Sequence, residues 1–187
     1  LEIVQPNGSR ITDFTYVSHT ITAGKPALAG LPATYTEHDE EAQTLTILLR
    51  DAVIGAELEL RYTLFADYAA IARSARFVNR GALDLHLTHA MSLNLDLPDS
   101  NYEFVHFSGA WARERHQKVR RLEQGIQSVE STRGTSSHNH NPFVILKRPE
   151  TTEFSGEAIG FSLVYSGNFL AQIEVDTWDT TRVTMGI

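Results

Sequence analysis

Cysteine is absent from the chain. Disulfides, thiolate metal sites and a cysteine nucleophile are thereby excluded, and a reducing, cytoplasmic setting is the expectation. Long apolar runs are missing too: none approaches the ~20 residues that a membrane-spanning helix needs. Positive charge is scarce, with 16 Lys and Arg against 23 Asp and Glu and a formal charge of -7. Nucleic acid and anionic membrane are poor partners for such a chain. There is no P-loop, no dinucleotide fingerprint and no G-x-S-x-G nucleophile elbow. What remains is 187 residues, 42% hydrophobic and 21% charged, enough to build a real core without staples.

The hydrophobic pattern has a period of two. From Leu83 to Leu97 the odd positions are leucine, His89 or Met91, and the even ones are Asp84, His86, Thr88, Ala90, Ser92, Asn94 and Asp96. A strand sorts those two sets onto opposite faces, whereas a helix would smear them round its circumference. The run is long for one strand, so it is expected to bend or change partner midway. His89 lies in its apolar row and reads as a hydrogen-bonded core histidine. Glu57–Phe65 alternates in the same way, and Ile71–Val78 reads as a further strand, leading into a turn at Asn79-Arg80-Gly81. Hairpins are expected at Val4–Tyr16, around Pro6-Asn7-Gly8, and at Gly160–Val175, around Ser166-Gly167-Asn168. Asn7-Gly8-Ser9 also matches a glycosylation acceptor, but the turn is the stronger reading. Thr22–Tyr35, with Gly24, Pro26, Gly30 and Pro32, reads as a long loop, and the acidic stretch TEHDEEAQ as an exposed turn. A helical turn is expected only near Ala112–Lys118. The fold class is all-β, a large β-sandwich.

Two stretches invite a chemical reading. WARERHQKVRR places Arg113, Arg115, Lys118, Arg120 and Arg121 behind Trp111. It reads either as a solvated strand whose cations pair with the protein's own acids, or as a contact surface built from Trp111, Arg113 and Arg115. SSHNHNPF places His138, Asn139 and His140 in a loop rich in turn formers. Two histidines two apart would share a face in extended chain, but zinc needs a third ligand and the other histidines show no complementary spacing. No metal and no cofactor are therefore expected. The loop is expected to be ordered by its own hydrogen bonds, with Pro142 at strand entry and Phe143 anchored on the core. No catalytic residue is assigned.

The blocks GKPALAGLPATY, LPDSNYEFVHFSGAWARER, STRGTSSHNHNPF, GFSLVYSGNFLAQIEVD and TRVTMGI together resemble the amino-terminal region of bacterial α-galactosidases of glycoside hydrolase family 36. The resemblance implies a β-supersandwich similar to the galactose-mutarotase fold, with residues 1–187 forming a single domain. Leu1 opens inside what reads as a strand and the last residues are strand-like, so a fragment is expected, with a catalytic barrel after Ile187. The family cleaves terminal α-galactose from melibiose and raffinose types of oligosaccharide with retention, using two aspartates of that barrel. Its members are often tetramers in which one subunit's amino-terminal domain reaches another's active site.

Three functional readings are open. The first is a non-catalytic domain that supports assembly and shapes the substrate entrance, with Trp111, Arg113, Arg115, His138, Asn139 and His140 as the interface or entrance candidates. The second is a stand-alone sugar-binding module stacking on Trp111, Trp178 or Tyr165. The third is a mutarotase-like enzyme using a histidine acid and a carboxylate base.

Overall fold

A computed structural model describes residues 1–136 and 138–187. Fourteen β-strands and one 3-10 turn, Asp39–Glu41, make up the regular structure of the described residues. The fold is all-β. The chain divides into two compact units, Leu1–Ser92 and Leu93–Ile187.

In the first unit β1 (Glu2–Val4) pairs with β6 (His86–His89). Four strands form an antiparallel meander: β2 (Thr15–Ala23), β3 (Ala42–Asp51), β4 (Ala56–Phe65) and β5 (Ile71–Asn79). The register sets Leu45 against Tyr62, Ile47 against Leu60 and Leu49 against Leu58, so one face is an apolar row. The other face carries Thr44 opposite Thr63, both buried, and their hydroxyls lie 2.8 Å apart. Thr44 also donates to the Gly24 carbonyl at 2.7 Å, which ties the long loop to the sheet.

Asp51 closes the β3–β4 turn and is only 1% exposed. Its carboxylate accepts from the backbone N–H groups of Asp13 (2.7 Å), Val53 (2.9 Å) and Ile54 (3.2 Å). Burial pushes its pKa up, but the three donors outweigh burial and hold it below the ordinary carboxylate value.

The second unit is a sandwich. One sheet has the order β10 (Gly125–Ser131), β13 (Phe169–Val175), β14 (Thr181–Gly186), β7 (Met91–Leu97). The other has the order β12 (Ala158–Ser162), β11 (His140–Lys147), β8 (Glu103–Ala110), β9 (Arg113–Arg121). Phe104, Val144, Leu146 and Phe161 from the second sheet meet Val129, Ala171, Ile173, Val183 and Met185 from the first in one core. Leu93, Leu95 and Leu97 pack against it. At one end Arg148 binds Asp99 through two nitrogens (2.6 and 3.2 Å) and lies 4.0 Å over the Tyr102 ring.

Several expectations need correction. The turn at Pro6-Asn7-Gly8 forms, with the Gly8 N–H on the Gln5 carbonyl (2.8 Å), but Val4–Tyr16 is not a hairpin. β1 pairs with β6, and the chain after Ser9 is held by other bonds, such as Gln5 Nε2 to the Ile11 carbonyl (2.8 Å). Gly160–Val175 is not a hairpin either: β12 pairs with β11, and β13 lies in the other sheet between β10 and β14. A turn motif fixes a reversal of the chain but not the strand's partner, which long-range packing decides. No helical turn forms at Ala112–Lys118, where β9 runs instead. The leucine run breaks at Ala90, and its halves take different partners, β1 and β14. His89 is exposed rather than in a core, with its Nδ1 3.0 Å from Glu2.

Asp51→Ala leaves three N–H groups without their acceptor and is expected to cost about 2–4 kcal/mol in urea unfolding. Because the folded pKa lies below the unfolded value of about 3.9, the ionised carboxylate's contribution is complete above that range. It is lost as pH falls through the lowered folded value. An alanine variant whose unfolding curves match the parent at pH 7 would remove Asp51 from the account.

Candidate functional site

β8 supplies every second side chain to the sandwich interior, and its partners do the same in register. Three rows cross the β9–β8–β11 sheet: Arg120–Phe104–Leu146, Lys118–His106–Val144 and His116–Ser108–His140. Opposed residues of an antiparallel pair share a face. Phe104, Val144 and Leu146 are core residues, so the same face passes from apolar to basic within two rows. The rings trace that path, Phe104 to His106 at 5.2 Å and His106 to His140 at 6.1 Å, with the Arg120 guanidinium 4.9 Å over Phe104.

The basic end opens as a cleft of about 580 Å³, lined by Ser108, Arg113, His116, Lys118, Asn139 and His140 and by the backbone turn at Gly109-Ala110. No carboxylate lines it. Among the described residues no carboxylate lies within ion-pair distance of Arg113, Arg115, Lys118 or Arg121; the ion pairs fall elsewhere. The expected pairing of this stretch with the protein's own acids is thus not found. Burial lowers the His106 pKa, and the neighbouring charges of Arg120, His140 and Lys118 lower it further. His106 Nδ1, His140 Nδ1 and Asn141 Oδ1 are buried with no hydrogen-bond partner among the described residues.

Local backbone geometry shapes the cleft. The β8–β9 register slips between Ser108 and Ala110, and the hairpin turns at Trp111-Ala112. Ala112 (φ 62°) and Arg115 (φ 58°) both lie in the left-handed region, which side chains other than glycine rarely adopt. Gly109 faces the Arg113 carbonyl and the Glu114 Cα so closely that a Cβ has no room. Its N–H donates to the Asn139 carbonyl at 3.2 Å, which links the hairpin to the histidine loop.

That loop is held from two sides. The Ser136 N–H donates to the Ser166 carbonyl (2.8 Å) and the Gly134 N–H to Asn168 Oδ1 (2.6 Å). With its amide oriented to satisfy both ends, Asn139 accepts from the Arg133 guanidinium (3.0 Å) and donates to His138 Nε2 (3.2 Å). Ser137, part of the SSHNHNPF stretch, lies outside the described residues. Pro142 does not open the strand as expected: it sits inside β11, in the register shift between His140 and Val144, where its missing N–H leaves no gap in the ladder. Phe143 is 36% exposed and stacks on Phe107 at 5.9 Å instead of anchoring in the core.

Of the six residues singled out from the sequence, Arg113, Asn139 and His140 line the cleft. Trp111 stands beside it at the hairpin tip, 83% exposed, while Arg115 and His138 are exposed and outside the lining. The sequence marked Lys118 only as one of a run of cations and left Ser108 and His116 out, and no spacing related His106 or His116 to His140. The signal was present in the period-two pattern Phe104, His106, Ser108, but the row joining three histidine-bearing strands is a product of pairing. Among the described residues no group of three or more His, Asp or Glu side chains is placed to hold a metal ion. The arrangement offers N–H donors and positive charge. Its lining holds no carboxylate, and so no carboxylate pair of the kind glycoside hydrolysis uses.

Gly109→Ala forces its Cβ into the facing backbone, and a loss of about 1–3 kcal/mol is expected. Urea unfolding followed by circular dichroism measures it; an unchanged midpoint would mean that the close approach is not a constraint.

The sequence profile described as the glycosyl hydrolase family 36 N-terminal domain matches residues 1–187. The α-galactosidase AgaA of Geobacillus stearothermophilus is 53% identical over 181 residues, covering 97% of this chain and 25% of that protein. An α-galactosidase of Pediococcus pentosaceus is 42% identical over 181 residues, with the same coverage of each. The crystal structure of AgaA superposes with a TM-score of 0.98 at 52% identity, over 100% of this chain and 26% of that one. The α-galactosidase from Lactobacillus brevis gives 0.97 at 47% identity, over 100% and 25%. The chain spans about a quarter of the length of these relatives. With its whole length matched by that profile, the chain belongs to the family of glycosyl hydrolase family 36 N-terminal domains.

Proposed function

We propose that this chain is the single, non-catalytic amino-terminal domain of an α-galactosidase that removes terminal α-galactosyl residues of the melibiose and raffinose type with retention. A catalytic barrel after Ile187 supplies the chemistry, and the enzyme is a cytoplasmic homo-oligomer, a tetramer. The domain supports assembly and shapes the entrance to the active site. One observation carries the reading: the family match covers all 187 residues, yet the cleft contains no carboxylate. A retaining glycosidase needs two, ~5–5.5 Å apart. Variants of AgaA, a relative matched by this chain over about a quarter of its length, have been crystallised with raffinose and with stachyose. The same lack of a carboxylate disfavours a mutarotase-like activity of the kind considered above, which pairs a histidine acid with a carboxylate base. A sugar-binding module remains the second reading, because Trp111 and Trp178 are 83% and 85% exposed and free to stack.

Trp111, Arg113, Arg115, His138, Asn139 and His140 are the residues that this reading turns toward the barrel or a neighbouring subunit. Trp and Arg are enriched where contact energy concentrates, and here both types cluster on one strained hairpin beside the histidine loop.

Two measurements test it. The 187-residue chain releases no nitrophenol from an aryl α-galactoside, whereas the full-length protein does; turnover by the isolated chain that survives repurification would reject the non-catalytic assignment. In the full-length protein, a combined His138→Ala and His140→Ala change is expected to weaken assembly or raise KM, since a lost buried hydrogen bond costs about 1–3 kcal/mol. Circular dichroism should show the domain still folded. Wild-type assembly and kinetics in that variant would make the loop surface decoration.

A further inference from the structure

The basic cleft has a composition that the proposed contact role does not require. Arg113, His116, Lys118 and His140 converge on it from two strands, joined by the Ser108 hydroxyl and by Asn139. The chain as a whole is acidic, at -7, yet no carboxylate lines this one concavity and none pairs with Arg113 or Lys118 among the described residues. Cations gathered in a concavity repel one another and focus a positive potential into it, and an anion relieves both effects. His140, which lines the cleft, also carries a ring nitrogen, Nδ1, with no hydrogen-bond partner among the described residues. A buried polar atom without a partner is costly.

We propose that this cleft is an oxyanion-binding site, taking a phosphate or carboxylate group between Arg113, Lys118, His116 and His140. The donor set suits that chemistry. A guanidinium offers paired N–H bonds to two oxygens, a lysine adds a point charge, and Ser108 and the imidazoles complete a shell of donors. With about 580 Å³ of space the cleft has room for an oxyanion carried on a larger molecule, at the scale of small-ligand pockets. The same group has two sources, a small free anion or a carboxylate side chain of the protein's own further polypeptide. The site rests on the geometry of the second unit and stands independently of the galactosidase activity.

The test uses full-length protein at constant ionic strength near pH 6.5. Inorganic phosphate and acetate are titrated separately, phosphate by broadening of its phosphorus-31 resonance and acetate by calorimetry. The double variant Arg113→Met and Lys118→Met is measured in parallel. A free-anion site gives saturable binding that is about tenfold weaker or absent in the variant, as expected on losing charge-assisted hydrogen bonds. If a protein carboxylate already fills the cleft, free anions do not bind. In that case Lys118→Glu lowers the melting temperature or dissociates the oligomer, whereas Arg121→Glu does not. The two changes shift net charge equally, and Arg121 stands on the same strand outside the cleft lining. No saturable binding by either anion, together with equal behaviour of Lys118→Glu and Arg121→Glu, overturns the proposal. Because neither readout depends on hydrolysis, a failure here is distinct from a failure of the assigned activity.

Discussion

A strand cannot choose its neighbours' faces one residue at a time, and both the core and the cleft of the second unit depend on how β8 meets that constraint. Its period of two places Phe104, His106 and Ser108 on one side, and pairing with β9 and β11 extends each into a row. The first row carries core residues and the last opens on the basic cleft, so one sheet face passes from packing to an exposed polar surface. A one-residue slip of β8 would move all three side chains to the opposite face and destroy core and cleft together. The join between them is managed by contacts that tolerate both environments. The Arg120 guanidinium lies over the Phe104 ring, covering apolar surface while its charge stays at the edge. His106 comes next, partly buried between a fully buried Val144 and Lys118, in a position where charging is opposed by both burial and its cationic neighbours.

The cleft owes its shape to two irregularities in otherwise regular ladders. One lies between Ser108 and Ala110 against β9, the other between His140 and Val144 against β8. Bulges re-aim side chains and increase local twist, and they concentrate near functional surfaces. Here the two shifts flank the row His116–Ser108–His140, one on its β11 side before it and one on its β9 side after it. The β9 strand is also an edge of its sheet, and its exposed Arg and Lys side chains protect that edge from pairing with another chain. Edge protection accounts for charge along the strand. It does not account for the selective lack of carboxylates in the cleft, because alternating Glu and Lys would protect an edge equally well.

Much of the fold was legible in the sequence. The alternations at Glu57–Phe65 and Ile71–Val78 correspond to β4 and β5, and the long loop and the acidic turn stand where glycine, proline and acid content placed them. Partner choice was not legible. Pro-Asn-Gly and Ser-Gly-Asn both mark changes of direction, but β1 and β12 pair with strands other than those their turns lead into, because buried apolar rows and not turns decide which strands meet. The site suffered from the same blindness. Arg113, Asn139 and His140 were visible as unusual local composition, whereas Ser108, His116 and Lys118 acquire meaning only through the register of β8 with β9. Arg115 adopts a left-handed backbone, which breaks the strand period between it and Arg113.

That strain bears on why the hairpin tip looks as it does. Holding Ala112 and Arg115 at positive φ costs of order 1–2 kcal/mol each, and a glycine at either position would remove much of it. The surroundings enforce the conformation. The Ala112 N–H is bound by Glu114 Oε1 at 2.8 Å, and Gly109 allows the two strands to approach where any side chain would hold them apart. The result is a short, braced turn that holds Trp111 clear of the sheet. A large aromatic ring has few rotatable bonds to immobilise when it meets a surface, so more of its contact energy appears as affinity. The strained backbone, the exposed tryptophan and cations without a carboxylate partner among the described residues lie within one hairpin. Together they are the features on which the proposed contact role of this end of the sandwich rests.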